Sequence, residues 1–258
     1  MIARLLIALA LVLPQAGCGT ARTCSPGDGC IRVLFIGNSY THVNDLPGMF
    51  SELARSGGHE VETDALDEGG ATLGDHQTRA ETGAKLAEKH WDDVILQEQS
   101  QIPSVASSRD QQMYPAARQL VQRIRVQGSK PLLYLTWARQ VGWPENGMAD
   151  FAAMQREITS AYLTLGTELR TPVVPAGVAW QQVVDAQPNA GMWQPDGSHP
   201  TVKGTYLVAC VFYASLFRQS PVGLSYHSDV SDTDAGALQA TAASVVLNNP
   251  SLWGLGQS

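Results

Sequence analysis

The chain has 258 residues, of which 44% are hydrophobic, and its formal net charge is −7 at pH 7. This length fits a single α/β domain that can bury a sizeable core. The acidic balance and the lack of any basic run argue against a nucleic acid or another polyanion as partner. Removing residues 1–17 takes away Arg4 and no acid, which makes the net charge −8.

Residues 1–17 have the pattern of a signal peptide: one positive charge and then the apolar run LLIALALVL. The run is too short to span a bilayer, so we expect an exported protein of the bacterial envelope, periplasm or medium. Residues 18–30 read as a linker that begins with Cys18, in a lipobox-like QAGC context. Either Cys18 carries a lipid anchor, or cleavage nearby releases the protein.

The remaining cysteines agree with export. Cys24 and Cys30 flank the turn-rich segment SPGDG. We favour a disulfide between them in an oxidising compartment, over two unpaired cysteines in a tether. Cys210 lies in the apolar run YLVACVFYASL and is predicted to be a buried free thiol.

Apolar runs alternate with helical patterns from residue 31 onward. The runs predict strands at 31–37, 59–66, 92–97, 131–137 and 171–177. Helices are expected from 46 to the glycines at 57–58, and at 77–90, 109–127, 149–169, 178–187, 200–218 and 232–247. No hairpin dipeptide joins the strands, so residues 31–258 are predicted to form one three-layer α/β/α domain with a flavodoxin-like parallel sheet. Ligands of such sheets bind at the carboxyl ends of the strands.

The loop after the first strand reads GNSYTH, residues 37–42. Gly37 allows a sharp turn, and Ser39 would project into the crevice near the start of a helix. There its own N–H could bind an oxyanion. A serine in this position can equally cap a turn or a helix, so the loop alone does not establish a nucleophile.

A second loop, PDGSHPT at 195–201, carries Asp196 and His199. A serine nucleophile needs a base that accepts its proton, and the base needs a carboxylate that fixes its tautomer. Asp-Gly is also an ordinary turn dipeptide. Both loops follow strands of one parallel sheet, so Ser39 and this pair are expected at the same edge. Together they favour a Ser–His–Asp triad.

These blocks resemble the SGNH/GDSL hydrolases, and the likeness covers nearly all of residues 31–218. In that family the serine follows the first strand and a DxxH step precedes the last long helix. A glycine after the second strand and an asparagine after the third strand donate to the oxyanion. The further blocks LQEQS and TWxR resemble a subset of the family. The resemblance implies the SGNH fold and ester hydrolysis without a cofactor.

The resemblance also assigns an oxyanion hole. Its donors would be the N–H groups of Ser39 and Gly70, with Gly69 as the alternative to Gly70. The third block departs from the family pattern, because this chain has QEQS where a glycine–x–asparagine–aspartate run is expected. Gln99 falls at the position of the asparagine and can donate through its amide. Gln97 is the competing choice.

Asn38, Gln97, Trp137 and Arg139 complete the set of candidate substrate contacts. Trp137 could stack on a sugar ring or belong to the core. Arg139 could bind a carboxylate or an ester oxygen, or be solvated. His42, His59, His76 and His90 lack the spacing of a metal site and are interpreted as surface or loop residues.

We therefore expect an exported serine esterase that needs no metal and acts as a monomer on a small acyl ester. An acetyl group on a carbohydrate is the favoured substrate. One alternative is a non-catalytic envelope protein of the same fold that binds a glycan or a protein. Another is an esterase-like enzyme that acts on a lipid or a thioester.

Overall fold

The structure, a computed structural model, describes residues 23–25 and 29–256. The predicted signal peptide at 1–17 and the predicted lipid-anchor residue Cys18 lie outside the described residues. Cys24 and Cys30 form a disulfide, and Cys210 is a buried free thiol, in agreement with both predictions. Within the described part of the chain, every helix is too short or too polar to cross a membrane.

Five parallel strands form one sheet in the order β2-β1-β3-β4-β5. The chain moves from β1 to one neighbour and then returns to the other side, so the strand order reverses between β1 and β3. This confirms the predicted fold class. The strands are β1 Ile31–Ile36, β2 Val61–Leu66, β3 Asp93–Leu96, β4 Lys130–Tyr134 and β5 Val173–Val174.

Helices cover both faces of the sheet, as right-handed crossovers require. They are α1 Ser39–His42, α2 Leu46–Ser56, α3 Leu73–Thr78, α4 Ala80–Glu88, α5 Ala106–Ser108, α6 Tyr114–Val126, α7 Phe151–Leu169, α8 Ala176–Ala186, α9 Val202–Phe217 and α10 Asp232–Leu247. Short 3₁₀ turns lie at Ile102–Ser104, Pro144–Asn146 and Pro250–Trp253, and a π-helical turn at Arg109–Met113 precedes α6. On one face of the sheet, α9 packs between α2 and α10. A separate group of helices forms where α6 packs against α3 and α7.

Aromatic side chains join β1 to the α2–α9 layer. Phe35 makes edge-to-face contacts with Phe50 of α2 and Phe212 of α9, at ring distances of 6.3 and 5.3 Å. Tyr134 of β4 meets Phe212 in the same way at 5.0 Å. All four rings are buried. Burial of this size, about 1.5–3 kcal/mol for each large side chain, fixes the central strands against the helices.

Several predicted boundaries differ from the structure. The fifth strand has two residues where seven were expected, because Pro172 and Pro175 flank it and proline has no N–H for the ladder. The segment predicted as a loop before residue 77 contains α3, which Thr72 and Asp75 begin with a capping box. Residues 101–108, for which neither a strand nor a helix was predicted, contain two short helical turns.

Close packing at the start of α8 generates a stability prediction. A Cβ on Gly177 would lie 2.1 Å from the carbonyl oxygen of Thr136, in the segment that follows β4 at the carboxyl edge of the sheet. We expect Gly177→Ala to lower the free energy of unfolding by about 1–3 kcal/mol, because the clash involves backbone. Gly236 in α10 is the matched control, since a Cβ there meets nothing within 4 Å. Gly236→Ala should stabilise by about 1 kcal/mol through helix propensity.

Urea unfolding followed by circular dichroism measures both variants. Equal effects of Gly177→Ala and Gly236→Ala would show that α8 does not dock against the β4 segment as described.

Candidate active site

The nucleophile turn follows β1 directly. Ser39 is the first residue of α1, and the side chain of Asn38 caps this short helix by accepting the N–H of Tyr40 at 3.2 Å. Gly37 is required before the turn, because a Cβ there would lie 2.5 Å from Gln97 Oε1 and 2.7 Å from Thr41 Oγ1. The glycine therefore lets the serine turn pack against the end of the neighbouring strand β3.

The buried carboxamide of Gln97 holds this turn in place. Its Oε1 accepts the N–H of Asn38 at 3.0 Å and the hydroxyl of Thr41 at 3.1 Å. Its Nε2 donates to Asn38 Oδ1 at 2.9 Å and to the carbonyl of Glu98 at 2.6 Å. Gln97 is 0% exposed and Asn38 is 2% exposed, so neither reaches a substrate. Asn38 and Gln97 were predicted to contact the substrate. In the structure they position the turn of Ser39 instead.

The second loop is shaped by its own aspartate. Asp196 Oδ1 accepts the N–H groups of Ser198 and His199 at 2.9 and 3.0 Å, and Gly197 supplies the left-handed residue of the turn at φ +65°. The loop is also held from outside. Gln140 N–H donates to the carbonyl of Gly197 at 2.8 Å, and Trp137 Nε1 donates to that of Ser198 at 2.9 Å.

The structure brings Ser39, His199 and Asp196 into one hydrogen-bonded chain. The His199 Nδ1–H donates to Asp196 Oδ2 at 2.5 Å, which leaves Nε2 to accept the Ser39 hydroxyl at 2.9 Å. Burial acts to raise the pKa of Asp196, but the hydrogen bonds from His199 and from two backbone N–H groups outweigh it and lower the pKa to about 2. Asp196 is therefore ionised at neutral pH and favours the Nδ1–H tautomer of His199.

An aromatic stack lies behind the triad. Tyr40 stacks on Trp137 at 4.5 Å, and Trp137 stacks on Trp180 at 4.2 Å. Trp137 is 0% exposed, so the expectation that it stacks on a sugar ring is wrong. The Tyr40 ring meets His199 edge-on at 5.7 Å, and its hydroxyl bonds to Ser198 Oγ at 2.7 Å. The stack thus supports the loop that carries His199.

Two backbone donors beside Ser39 are free. Among the described residues, no acceptor binds the N–H of Ser39 or of Gly70. Gly70 lies in an exposed turn at φ +76°, and the next residue, Ala71, accepts the Asn38 amide at 2.8 Å. That bond ties the glycine loop to the nucleophile turn. The two N–H groups therefore have the freedom that oxyanion donors need.

Gln99 has one fixed end and one free end. Its Oε1 accepts the N–H groups of Gln101 and Ile102 at 2.8 and 3.3 Å. Among the described residues, its Nε2 contacts Gln101 Oε1 alone, at 3.5 Å. The hydrogen bonds to its oxygen thus fix the amide group of Gln99, whereas its N–H groups stay available as donors. In Gln97, by contrast, both the oxygen and the nitrogen of the amide make short hydrogen bonds.

Glu98 is a buried carboxyl group that links two of these loops. Its Oε1 accepts the N–H groups of Gln99 and Leu73 at 2.7 and 3.1 Å, which joins the loop after β3 to the start of α3. Its Oε2 is buried without a hydrogen-bond partner in the described part of the chain. Burial raises the pKa of Glu98 to about 7, although the two N–H groups oppose this.

Besides Glu98, His76 and Asn44 are residues of the site that were not identified from the sequence. His76 was interpreted as a surface or loop residue, but it is 1% exposed and bonds through Nε2 to the carbonyl of Gly37 at 2.7 Å. Asn44 donates to the Pro200 carbonyl and Thr205 Oγ1 at 3.0 and 2.9 Å, which joins the end of α1 to the His199 loop. Only the contacts across the sheet reveal these roles.

Arg139 follows β4 at the carboxyl edge of the sheet and has no ion-pair partner among the described residues. Its charge acts on the hydroxyl of Tyr40. Its Nε is buried without a hydrogen-bond partner, and no carboxylate of the described residues pairs with it. The structure therefore places a free guanidinium near the triad.

The raised pKa of Glu98 predicts a pH-dependent stability. The folded pKa, about 7, lies above the value of 4.5 for an ordinary glutamate, so the contribution of Glu98 to stability is fully present below pH 4.5 and is lost as pH rises through 7. The Glu98→Gln substitution introduces a side chain that is neutral at every pH, so it removes this loss of stability. We expect the stability of the variant relative to wild type to grow by about 2 kcal/mol between pH 5 and pH 8.

The control is Glu62, a second buried glutamate, which pairs with Lys89 and Arg32. Burial acts to raise the pKa of Glu62, but these partners lower it overall. Glu62→Gln should therefore destabilise the fold by a similar amount at both pH values, as measured by urea unfolding. A Glu98→Gln effect that is equal at pH 5 and pH 8 would show that Glu98 is ionised in the fold at both.

No protein-family model and no curated protein matches the chain. Solved structures do match. A DUF4886 family protein from Bacteroides uniformis superposes with a TM-score of 0.73 and 20% sequence identity. The superposition covers 84% of this chain and 95% of the chain of that protein.

Two further solved structures carry functional descriptions. A protein from Slackia heliotrinireducens assigned to the SGNH hydrolases has 29% identity and a TM-score of 0.60, over 71% of this chain and 97% of its own. An acetyl xylan esterase has 17% identity and a TM-score of 0.57, over 72% of this chain and all of its own. These matches confirm the resemblance that the sequence blocks predicted: the chain has the fold of the SGNH/GDSL-type superfamily.

Proposed function

We propose that this protein is a serine esterase that hydrolyses carboxylic esters through an acyl-enzyme. The observation that carries the proposal is the hydrogen-bonded chain from Asp196 through His199 to Ser39, with free N–H groups at Ser39 and Gly70 beside it. A serine that merely caps a helix needs neither an oriented histidine nor unpaired donors. The neighbours described as an SGNH hydrolase and as an acetyl xylan esterase support the same class of reaction.

In the first step His199 Nε2 takes the hydroxyl proton of Ser39 as Oγ attacks the ester carbonyl. The new C–O bond leaves a negative charge on the former carbonyl oxygen, which the N–H groups of Ser39 and Gly70 and the Gln99 amide stabilise. The charge of Asp196 stabilises the imidazolium. His199 then gives its proton to the leaving alcohol, and the C–O bond to that alcohol breaks.

Water completes the cycle. His199 removes a proton from a water molecule that attacks the acyl carbon, and the second tetrahedral intermediate collapses with return of the proton to Ser39 Oγ. The products are the free acid and the regenerated enzyme. The residues named supply every proton transfer, so the scheme needs no metal or redox cofactor.

The substrate class proposed is a short acyl ester on a carbohydrate. Support comes from the neighbours described as an acetyl xylan esterase and an acetyl-xylooligosaccharide esterase. We also propose that the protein acts outside the cytoplasm. The signal-like sequence at 1–17 and the disulfide between Cys24 and Cys30 support this location. Lipidation of Cys18 and a monomeric state stay predictions.

An activated serine predicts selective covalent labelling. A fluorophosphonate probe should react with Ser39 at neutral pH, and mass spectrometry should locate a single adduct on the peptide that contains it. Ser39→Ala should abolish both labelling and turnover of an aryl acetate, whereas Ser107→Ala on the exposed surface should change neither. Asp196→Asn should lower kcat by about 10⁴-fold, because His199 loses its orientation.

Thermal unfolding of each variant serves as the folding control. A folded wild type that takes no label and hydrolyses no ester would overturn the esterase proposal. A non-catalytic glycan- or protein-binding role would then be the better account of the fold.

A further inference from the structure

The unpaired arginine beside the triad is held on a rigid backbone. Arg139 lies between Ala138, whose N–H donates to Gln155 Oε1 at 2.8 Å, and Gln140, whose N–H donates to the carbonyl of Gly197 at 2.8 Å. The Ala138 carbonyl also accepts Trp193 Nε1 at 3.2 Å. Both neighbours are therefore fixed, and one of them is fixed to the turn that carries His199.

The guanidinium lacks the partners that an arginine of a structural ion pair has. The surface pair Arg118–Glu168 shows that usual arrangement, with two N–H groups on one carboxylate at 2.6 and 2.9 Å. Arg139 makes no such pair with the described residues, and its buried Nε is left without an acceptor. A guanidinium without a carboxylate partner can bind an incoming anion through charge-assisted hydrogen bonds, which are among the strong ones.

The sheet order indicates which part of an ester would face Arg139. The proposed oxyanion donors Gly70, Ser39 and Gln99 follow β2, β1 and β3, whereas Arg139 follows β4, the next strand beyond these three. His199, which protonates the leaving alcohol, belongs to the loop bonded to the Arg139 segment. The alcohol part of the ester therefore points toward Arg139 and the acyl oxygen points away from it.

The spacing also limits how far the anion lies from the ester. Strand axes are about 4.8 Å apart, so β1 and β4 are separated by about 10 Å at the catalytic edge. A single sugar ring and an arginine side chain together can bridge this gap.

We propose that Arg139 binds a carboxylate on the alcohol part of the substrate, so that the preferred substrates are acyl esters of acidic sugars. This rests on the proposed esterase function. The planar guanidinium matches a carboxylate with two parallel hydrogen bonds, a geometry that lysine cannot offer.

The test compares two monoacetates at pH 7.5: an O-acetylated methyl glucuronoside and the corresponding methyl glucoside, which differ in one carboxylate. Wild type should show a kcat/KM about 10–100-fold higher for the glucuronoside, as expected for hydrogen bonds to a charged group. Arg139→Gln should remove this preference through KM, with kcat changed little. Arg139→Lys should keep part of it.

Lys130→Gln is the matched control. Lys130 is exposed at the first residue of β4, the opposite end of the strand that leads to Arg139, and its loss changes the net charge by the same amount. This variant should retain the full preference. Equal kcat/KM of wild type for both acetates would overturn the proposal. An equal loss of kcat/KM for both acetates in Arg139→Gln would also overturn it and would indicate that Arg139 has a structural role.

A binding measurement separates this proposal from the esterase proposal. If neither acetate is hydrolysed in a Ser39-dependent way, the esterase proposal fails. Calorimetry with Ser39→Ala and with the Ser39→Ala/Arg139→Gln double variant then decides the role of Arg139. Binding of methyl glucuronoside but not methyl glucoside, lost in the double variant, supports the carboxylate site, whereas equal or absent binding of the two sugars contradicts it.

Discussion

The buried carboxamide of Gln97 is the contact on which the geometry of the site depends. Four hydrogen bonds join it to the nucleophile turn and to the backbone of its own strand end, so the position of Ser39 is set by β3 as much as by β1. Gly37 is compatible with this contact because it has no side chain. A short helix of four residues could not hold a serine in place without such support.

The other half of the triad is fixed by a different set of contacts. Asp196 shapes its own turn through two backbone N–H groups, and the segment after β4 holds that turn from outside. Asn44 connects the two halves. The partly exposed Asp196–His199 pair therefore owes its geometry to neighbours that are largely buried. This agrees with the general need of a catalytic group for a supporting layer of fixed side chains.

Local patterns were sufficient to predict the fold and to locate the residues of the candidate site. Continuous apolar runs marked the central strands, and the GNSYT and DGSH blocks located the three residues that the structure brings together. Roles that depend on side-chain direction were not predictable. Gln97, Trp137 and His76 are polar or amphipathic residues next to loops, and such residues are more often exposed than buried. Their burial follows from the sheet register and from helices distant in sequence. The same is true of Glu98, whose second anchor, Leu73, is 25 residues away.

The most direct test is a crystal structure of the phosphonate adduct at Ser39. The account predicts that the phosphoryl oxygen of the adduct accepts hydrogen bonds from the N–H groups of Ser39 and Gly70 and from Gln99 Nε2, at about 2.7–3.1 Å. His199 should stay hydrogen-bonded to Asp196. A phosphoryl oxygen that points into solvent or toward Arg139, with Gly70 and Gln99 unpaired, would contradict the proposed oxyanion hole and the orientation of the substrate derived from it.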